Sequence, residues 1–180
     1  MTGPKRGIDL SDTVLIEYDM RIKTGDREED DLQLIDGASV LDPLISHSEP
    51  LTCRISGNNS AVDITQMYIR SAVDAAVEVI VSEVQSSFDL SLSCFTSGLH
   101  EEIRLFDGVI GESRVLRRHV IVVMAKGCLD LKLKVGSGSY GSAEVHCHSF
   151  EVMDHGYASQ QIKTEFASIF VKVTWPTVAL

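Results

Sequence analysis

The sequence predicts an all-β fold, an antiparallel β-sandwich of about nine to eleven strands with little helix. Three observations carry that prediction. Apolar and polar residues alternate with the period of a strand along most of the chain. Turn residues interrupt the alternation at roughly ten-residue intervals. No stretch shows the periodicity of an amphipathic helix of about three turns, and βαβ units would need several. Helix is expected in at most about a tenth of the residues.

The clearest strand is VLIEYDMRIK, Val14 to Lys23. Val14, Ile16, Tyr18, Met20 and Ile22 share one face, and Leu15, Glu17, Asp19, Arg21 and Lys23 share the other, because side chains alternate across a strand. TGDREEDD follows as a charged turn, and Leu32 and Leu34 begin a second short strand that Asp36-Gly37 ends, so the pair reads as a hairpin with a longer loop. Ala38 to Pro50, with Pro43 and Pro50, reads as a crossing loop with room for a short strand. Thr52 to Ser56 is a short strand stopped by Gly57-Asn58-Asn59, and Ala61 to Arg70 is extended but less regular.

Ala72 to Val84 tolerates a helix through its alanines, but its β-branched density and alternation favour a long strand. Phe88, Leu90, Leu92 and Cys94 alternate with Asp89, Ser91 and Ser93. Ile103 to Phe106 is a short strand cut by Asp107-Gly108. Val115 to Met124 continues the pattern, and Val120 to Val123, apolar on both faces, reads as central. After the Lys126-Gly127 turn, Leu129, Leu131, Leu133 and Val135 alternate with charged residues. Ala143, Val145 and Cys147 follow a glycine-serine turn, and Gln161 to Trp175 reads as one long closing strand. The core is expected to contain Ile16, Tyr18, Met20, Val77, Val79, Leu90, Leu92, Val122, Leu131, Leu133, Val171 and Val173.

A chain of 180 residues reads as a single β-rich domain over 1–180, with 1–12 flexible, and buries about 70% of its unfolded surface without needing staples. The net charge of -10 disfavours a nucleic-acid backbone or an anionic membrane as main partner. Cys53, Cys94, Cys128 and Cys147 lack the close spacing of zinc knuckles or redox pairs. The N-terminal MTGPKRGIDLSD has no apolar signal-peptide region, and no apolar run reaches membrane-spanning length. These features lead us to expect a reduced, cytoplasmic protein.

Each pattern that suggests chemistry has an ordinary alternative. Gly136, Gly138 and Gly141 form G-x-G-x-x-G, but a strand rather than a helix follows, so a hairpin loop is expected instead of a dinucleotide site. His146 and His148 fall on one strand face, with Asp154 and His155 nearby in sequence. Paired imidazoles can begin a metal site, and the ordinary alternative is a solvated strand face near a loop. Asp26, Glu28, Glu29, Asp30 and Asp31 crowd one loop, as calcium loops do, but without the central glycine of an EF-hand; a charged hairpin tip is the alternative. His146, His148, Asp30 and Asp31 are therefore the metal candidates, and neither group is expected to hold a metal tightly. Asn58-Asn59-Ser60 matches a glycosylation sequon, expected to stay unmodified in the cytoplasm. No nucleophile elbow, H-E-x-x-H or P-loop appears, so no catalytic residues and no cofactor are assigned and the chain is not expected to be an enzyme.

Three stretches, KRGIDLSDTVLIEYDMRIKTG, EVQSSFDLSLSCFTSGLHEEIRLFDG and HGYASQQIKTEFASIFVKVTW, together resemble a grass-restricted family of domains of unknown function. Members of that family occur alone or attached to ribosome-inactivating N-glycosidase domains related to the jasmonate-induced protein of cereals. The resemblance runs from Lys5 to Trp175. It implies a plant stress or defence context and transfers no catalytic residue, since the depurinase site belongs to the other domain. Relatives carry a further strand-rich stretch before the position of Lys5, which implies an open sheet edge near Val14 to Ile22 in this chain, available for self-association or for a partner. The leading expectation is a non-catalytic binding or protein-interaction module with an unidentified protein or small ligand as partner. An accessory module of a ribosome-inactivating protein is the alternative, and a metal- or calcium-dependent binder is the third reading.

Overall fold

Alternating β-branched and polar residues fold here into strands almost throughout. The computed structural model describes residues 8, 10–43, 49–57, 60–97, 99–137 and 143–175, with Glu28 and His100 described by their backbone. Among the described residues thirteen strands and the 3-10 turn Glu28–Asp30 are regular elements, and their strand pairings are antiparallel. The protein is therefore all-β, as the alternation predicts, with more and in places longer strands than the turn signals suggested. The strands group into two compact units, Ile8–Tyr68 and one built on Ile69–Leu180.

The first unit contains β1 (Val14–Ile22), β2 (Leu32–Leu41), β3 (Leu51–Ser56) and β4 (Ala61–Gln66). β1 pairs with β2 and β3 with β4, each as a two-stranded sheet. The second strand does not end at Asp36-Gly37: Gly37 sits opposite Tyr18 and β2 continues to Leu41. Ala38 to Leu41 are therefore the strand part of that stretch, as the end of β2, because β1 supplies cross-strand partners as far as Val14. Gly57 and Ser60, on either side of the β3–β4 turn, lie against β2. Ser60 Oγ donates to the Leu34 carbonyl at 2.5 Å, and a Cβ on Gly57 would lie 2.6 Å from that same oxygen. Only glycine permits this approach. Asn58 and Asn59 of the sequon lie outside the described residues.

The second unit is a sandwich. One sheet has the order β11-β10-β6-β7, formed by β6 (Phe88–Thr96), β7 (Leu99–Ile110), β10 (Cys128–Gly136) and β11 (Glu144–Glu151). The other has the order β12-β13-β5-β8, with β9 also on β5. Its members are β5 (Ala72–Ser82), β8 (Arg114–Val115), β9 (His119–Met124), β12 (Gly156–Lys163) and β13 (Ser168–Trp175). The inward residues of both sheets form one apolar core, including Val77, Val79, Phe88, Leu90, Leu92, Leu129, Leu131, Leu133, Ile169, Val171, Val173 and Trp175. Phe88 and Phe166 stack within it, ring centroids 5.6 Å apart. Enclosing one such large side chain contributes about 1.5–3 kcal/mol before conformational entropy is charged against it.

Eight of the twelve expected core residues are buried: Val77, Val79, Leu90, Leu92, Leu131, Leu133, Val171 and Val173. Ile16, Tyr18 and Met20 are only half-buried, because β1 belongs to a two-stranded sheet. Val122 is also half-buried. In β9 the enclosed residues are Ile121 and Val123, so the expected face is reversed, and the strand pairs only with β5 among the described residues. Two boundaries are corrected as well. β7 runs through Asp107-Gly108, where Gly108 lies opposite Leu90. The long closing strand is instead the hairpin β12–β13, broken where Thr164 Oγ1 accepts the amides of Phe166 and Ala167 at 3.2 and 3.1 Å, a hydroxyl-to-backbone bond that competes with the ladder.

All four cysteines are free. Cys53 and Cys147 are exposed, whereas burial pushes the Cys94 thiol up to about 12. A thiol reagent at pH 8 should therefore modify Cys53 and Cys147 in the folded protein and Cys94 only after denaturation. Mass mapping of labelled peptides checks this, and fast labelling of Cys94 in the native state would contradict its enclosure.

Candidate functional site

The sequence placed His146 and His148 on one strand face, and they share one. It is not a solvated face. His146, His148 and Phe150 lie opposite Leu133, Leu131 and Leu129, whose side chains are fully buried, while Val145 and Cys147 point outward. The Nε2 atoms of both histidines are buried without a hydrogen-bond partner among the described residues. His146 Nε2 comes within 3.0 Å of Glu144 Oε1 but out of line for a hydrogen bond. Glu144 follows the same alternation and sits opposite Val135. Among the described residues, no group of three or more His, Cys, Asp or Glu side chains converges as a metal site requires.

The acidic loop is closed by its own bonds. Glu28–Asp30 form the 3-10 turn. Thr24 Oγ1 donates to the Asp30 carbonyl, and the Thr24 amide donates to Asp31 Oδ1 at 3.3 Å. Arg27 pairs with Glu29 at 3.3 Å. Asp31 thus holds the base of the turn, and Glu29 already has a cation. Calorimetric titration with zinc and with calcium is expected to show no stoichiometric uptake, in the native chain or in His146→Ala/His148→Ala and Asp30→Ala/Asp31→Ala. A one-to-one curve abolished by either double substitution would establish a metal site there.

Gly136 ends β10 and the chain re-enters the same sheet as β11, so the glycine motif connects two strands of a hairpin, as its context predicts. Gly138 and Gly141 lie outside the described residues.

One polar cluster escaped the sequence reading. On the outer face of the four-stranded sheet, register aligns Cys147, Lys132, Ser93 and Arg104 across all four strands. Ser93 is buried, and its hydroxyl donates to Glu102 Oε1 at 2.5 Å. Lys132 Nζ lies 3.8 Å from the same oxygen. The Ser93 hydrogen bond, more than the positive fields of Lys132, Lys134 and Arg104, holds the Glu102 carboxyl below its ordinary range. A carboxylate held ionised in this way is a poor general base, so the cluster acts as a cross-strand clasp. The alternation of DLSLSC puts Ser93 on the polar face, but only strand register brings it to Glu102. Ser93→Ala should return the Glu102 pKa toward its ordinary value. Because the native value is depressed, the clasp stabilises the fold above the unfolded-state pKa and loses that contribution as pH falls through the folded one. Carboxyl-carbon NMR titration of the two proteins checks this, and an unchanged Glu102 curve would assign the depression to the cations.

A depression of about 100 Å³ lined by Glu83, Gln85, Lys163, Thr164, Ala167 and Ser168 is much smaller than the roughly 300 Å³ at which ligand clefts begin. The β1–β2 hairpin offers a different kind of surface. Leu15 and Val40 lie directly opposite one another and are 59% and 66% exposed. At the loop end Ile22 opposes Leu32, at 49% and 60%. Isolated exposed apolar residues are ordinary; here they are opposed in pairs, one pair on each face of the hairpin. Along β1, on the side away from β2, the ladder groups face no further strand among the described residues.

A family model described as "Domain of unknown function (DUF6598)" matches residues 1–173. No curated protein matches the chain, and no solved structure does.

Proposed function

The chain belongs to this family of domains of unknown function (DUF6598), and from that premise we propose that it is a non-catalytic protein-interaction module whose β1–β2 hairpin is the contact surface. The observation that supports the reading is the hairpin itself: two exposed cross-strand apolar pairs beside an open strand edge. A partner strand added there would satisfy the free ladder groups and cover apolar side chains at the same time. The proposed setting is a reducing, cytoplasmic one in a plant stress or defence response. Four free thiols accord with the compartment, and the similarity of KRGIDLSDTVLIEYDMRIKTG and its companion stretches to the grass-restricted family supplies the biological context.

That similarity also favours a second reading, an accessory module working beside a ribosome-inactivating depurinase. Affinity capture from stressed leaf extract, with the native chain and with Leu15→Lys/Val40→Lys as baits, separates these possibilities. A protein held by the native bait and lost by the variant supports the module. Ribosomal proteins among those captured, with co-sedimentation on ribosomes, favour the accessory role. Identical captures by both baits would remove the hairpin from the interaction.

A further inference from the structure

We infer that β1 pairs with β1 of a second copy of this chain, antiparallel and about a two-fold axis at Met20, giving a continuous sheet in the order β2-β1-β1-β2. The inference rests on the hairpin's being an interaction surface and names one of its partners. It starts from the charge sequence on the outward face of β1. Glu17, Asp19 and Arg21 on β1 and Lys23, the first residue beyond its end, follow one another at every second position, and all four are exposed. Two acids followed by two bases at alternate positions are complementary to the same segment reversed, and pairing with a second copy would extend the strand by one residue to Lys23.

Only one register uses this fully. With the axis at Met20, Asp19 of each copy faces Arg21 of the other and Glu17 faces Lys23. With the axis at Tyr18, Glu17 faces Asp19; at Asp19 or at Arg21 the axial residue meets its own like charge. Opposed opposite charges stabilise an antiparallel pair, and like charges destabilise it. The same register sets Met20 against Met20 and Tyr18 against Ile22 on the other face, both apolar matches.

The strand is suited to the role. Its one register shift against β2 places an extra residue, Leu34, in β2, so β1 itself is unbroken. Asp19 is held by Arg21 at 3.1 Å and by Gln33 Nε2 at 2.8 Å, which keeps both charges on the outward face. A second copy would extend this bridge into a quartet of two acids and two bases. Other edge strands lack the pattern. β2 and β4 carry only acids and β3 and β12 only a base, while β11 has acids and histidines but no lysine or arginine. β7 carries both signs, but its ladder shifts register twice and Glu102 is already bonded to Ser93.

A contact of about seven residues is small for an interface, so the dimer should be weak, with a dissociation constant of roughly 100 μM or above. Sedimentation equilibrium between about 10 μM and 1 mM, at low salt, reads it. Lys23→Glu places Glu17 opposite a second acid in the dimer. Within one copy residues 17 and 23 are roughly 20 Å apart along the strand, so the substitution leaves the monomer undisturbed. We expect Lys23→Glu to weaken association about tenfold or more, Glu17→Lys/Lys23→Glu to restore it to within about threefold of the native value, and added salt to weaken the native dimer. Far-UV circular dichroism confirms that the variants fold. A native chain that stays monomeric to 1 mM overturns the proposal. So does a dimer indifferent to Lys23→Glu, or one that the double substitution fails to restore. A monomeric chain that still captures a leaf protein through Leu15 and Val40 overturns the dimer and leaves the module reading standing.

Discussion

Leu131→Ala is expected to destabilise the sandwich unit by about 2–5 kcal/mol. Leu131 lies near the middle of β10, with Cys94 on one neighbouring strand and His148 on the other. Its side chain is 1% exposed, and its inward neighbours Leu129 and Leu133 are fully enclosed. Truncation removes apolar contacts and leaves a void that a strand paired on both sides cannot close. Urea unfolding followed by the fluorescence of Trp175, the single tryptophan, reports on this unit. The outward neighbour Lys132 supplies the contrast: its bridge to the exposed Glu102 is 3.8 Å long, and Lys132→Ala should cost about 1 kcal/mol or less. A loss under about 0.5 kcal/mol for Leu131→Ala would place that side chain in a surface-like environment.

Trp175→Ala should cost about 3–5 kcal/mol, and Trp175→Phe much less. Trp175 closes β13 opposite Gly156 and is 1% exposed, so the alanine variant opens a large cavity. Its indole Nε1 is buried with no hydrogen-bond partner among the described residues, and an N–H left unpaired in this way costs about 1–3 kcal/mol. Phenylalanine loses some apolar contact but also deletes the unpartnered N–H, and the two effects oppose one another. The net cost of Trp175→Phe is therefore expected to stay near 1 kcal/mol. Far-UV circular dichroism during urea unfolding measures both variants, since the fluorophore is lost. Equal losses in the two would mean that the indole N–H contributes a favourable interaction.

The candidate site divides along the same physical line as the fold. The charge order of Glu17, Asp19, Arg21 and Lys23 can be read directly from the chain, because every second residue of a strand shares a face. That β1 has β2 on one side, and no described strand on the other, cannot. The clasp of Ser93 with Glu102 and Lys132 joins three strands, and no local pattern specifies which distant strands become neighbours.

The sequence by itself determined that this chain is built of antiparallel strands and which residues travel together on one face, since both follow from a local period of two. Tertiary structure alone decided which face is inside. In β11 the inward set is His146, His148 and Phe150 rather than Val145 and Cys147, because β10 sets them opposite Leu133, Leu131 and Leu129. In β9 the enclosed residues are Ile121 and Val123. Pairing also overrode local stop signals: Gly37 and Gly108 lie within strands, opposite Tyr18 and Leu90. A glycine weakens a strand by a fraction of its stability, about 1 kcal/mol or less, and a ladder continued on both sides of it outweighs that loss. At Thr164 the balance runs the other way, for its hydroxyl bonds two backbone amides and turns the chain between β12 and β13. Alternation is a property of neighbours along the chain; burial is a property of neighbours in space, and only the pairing of distant strands supplies those.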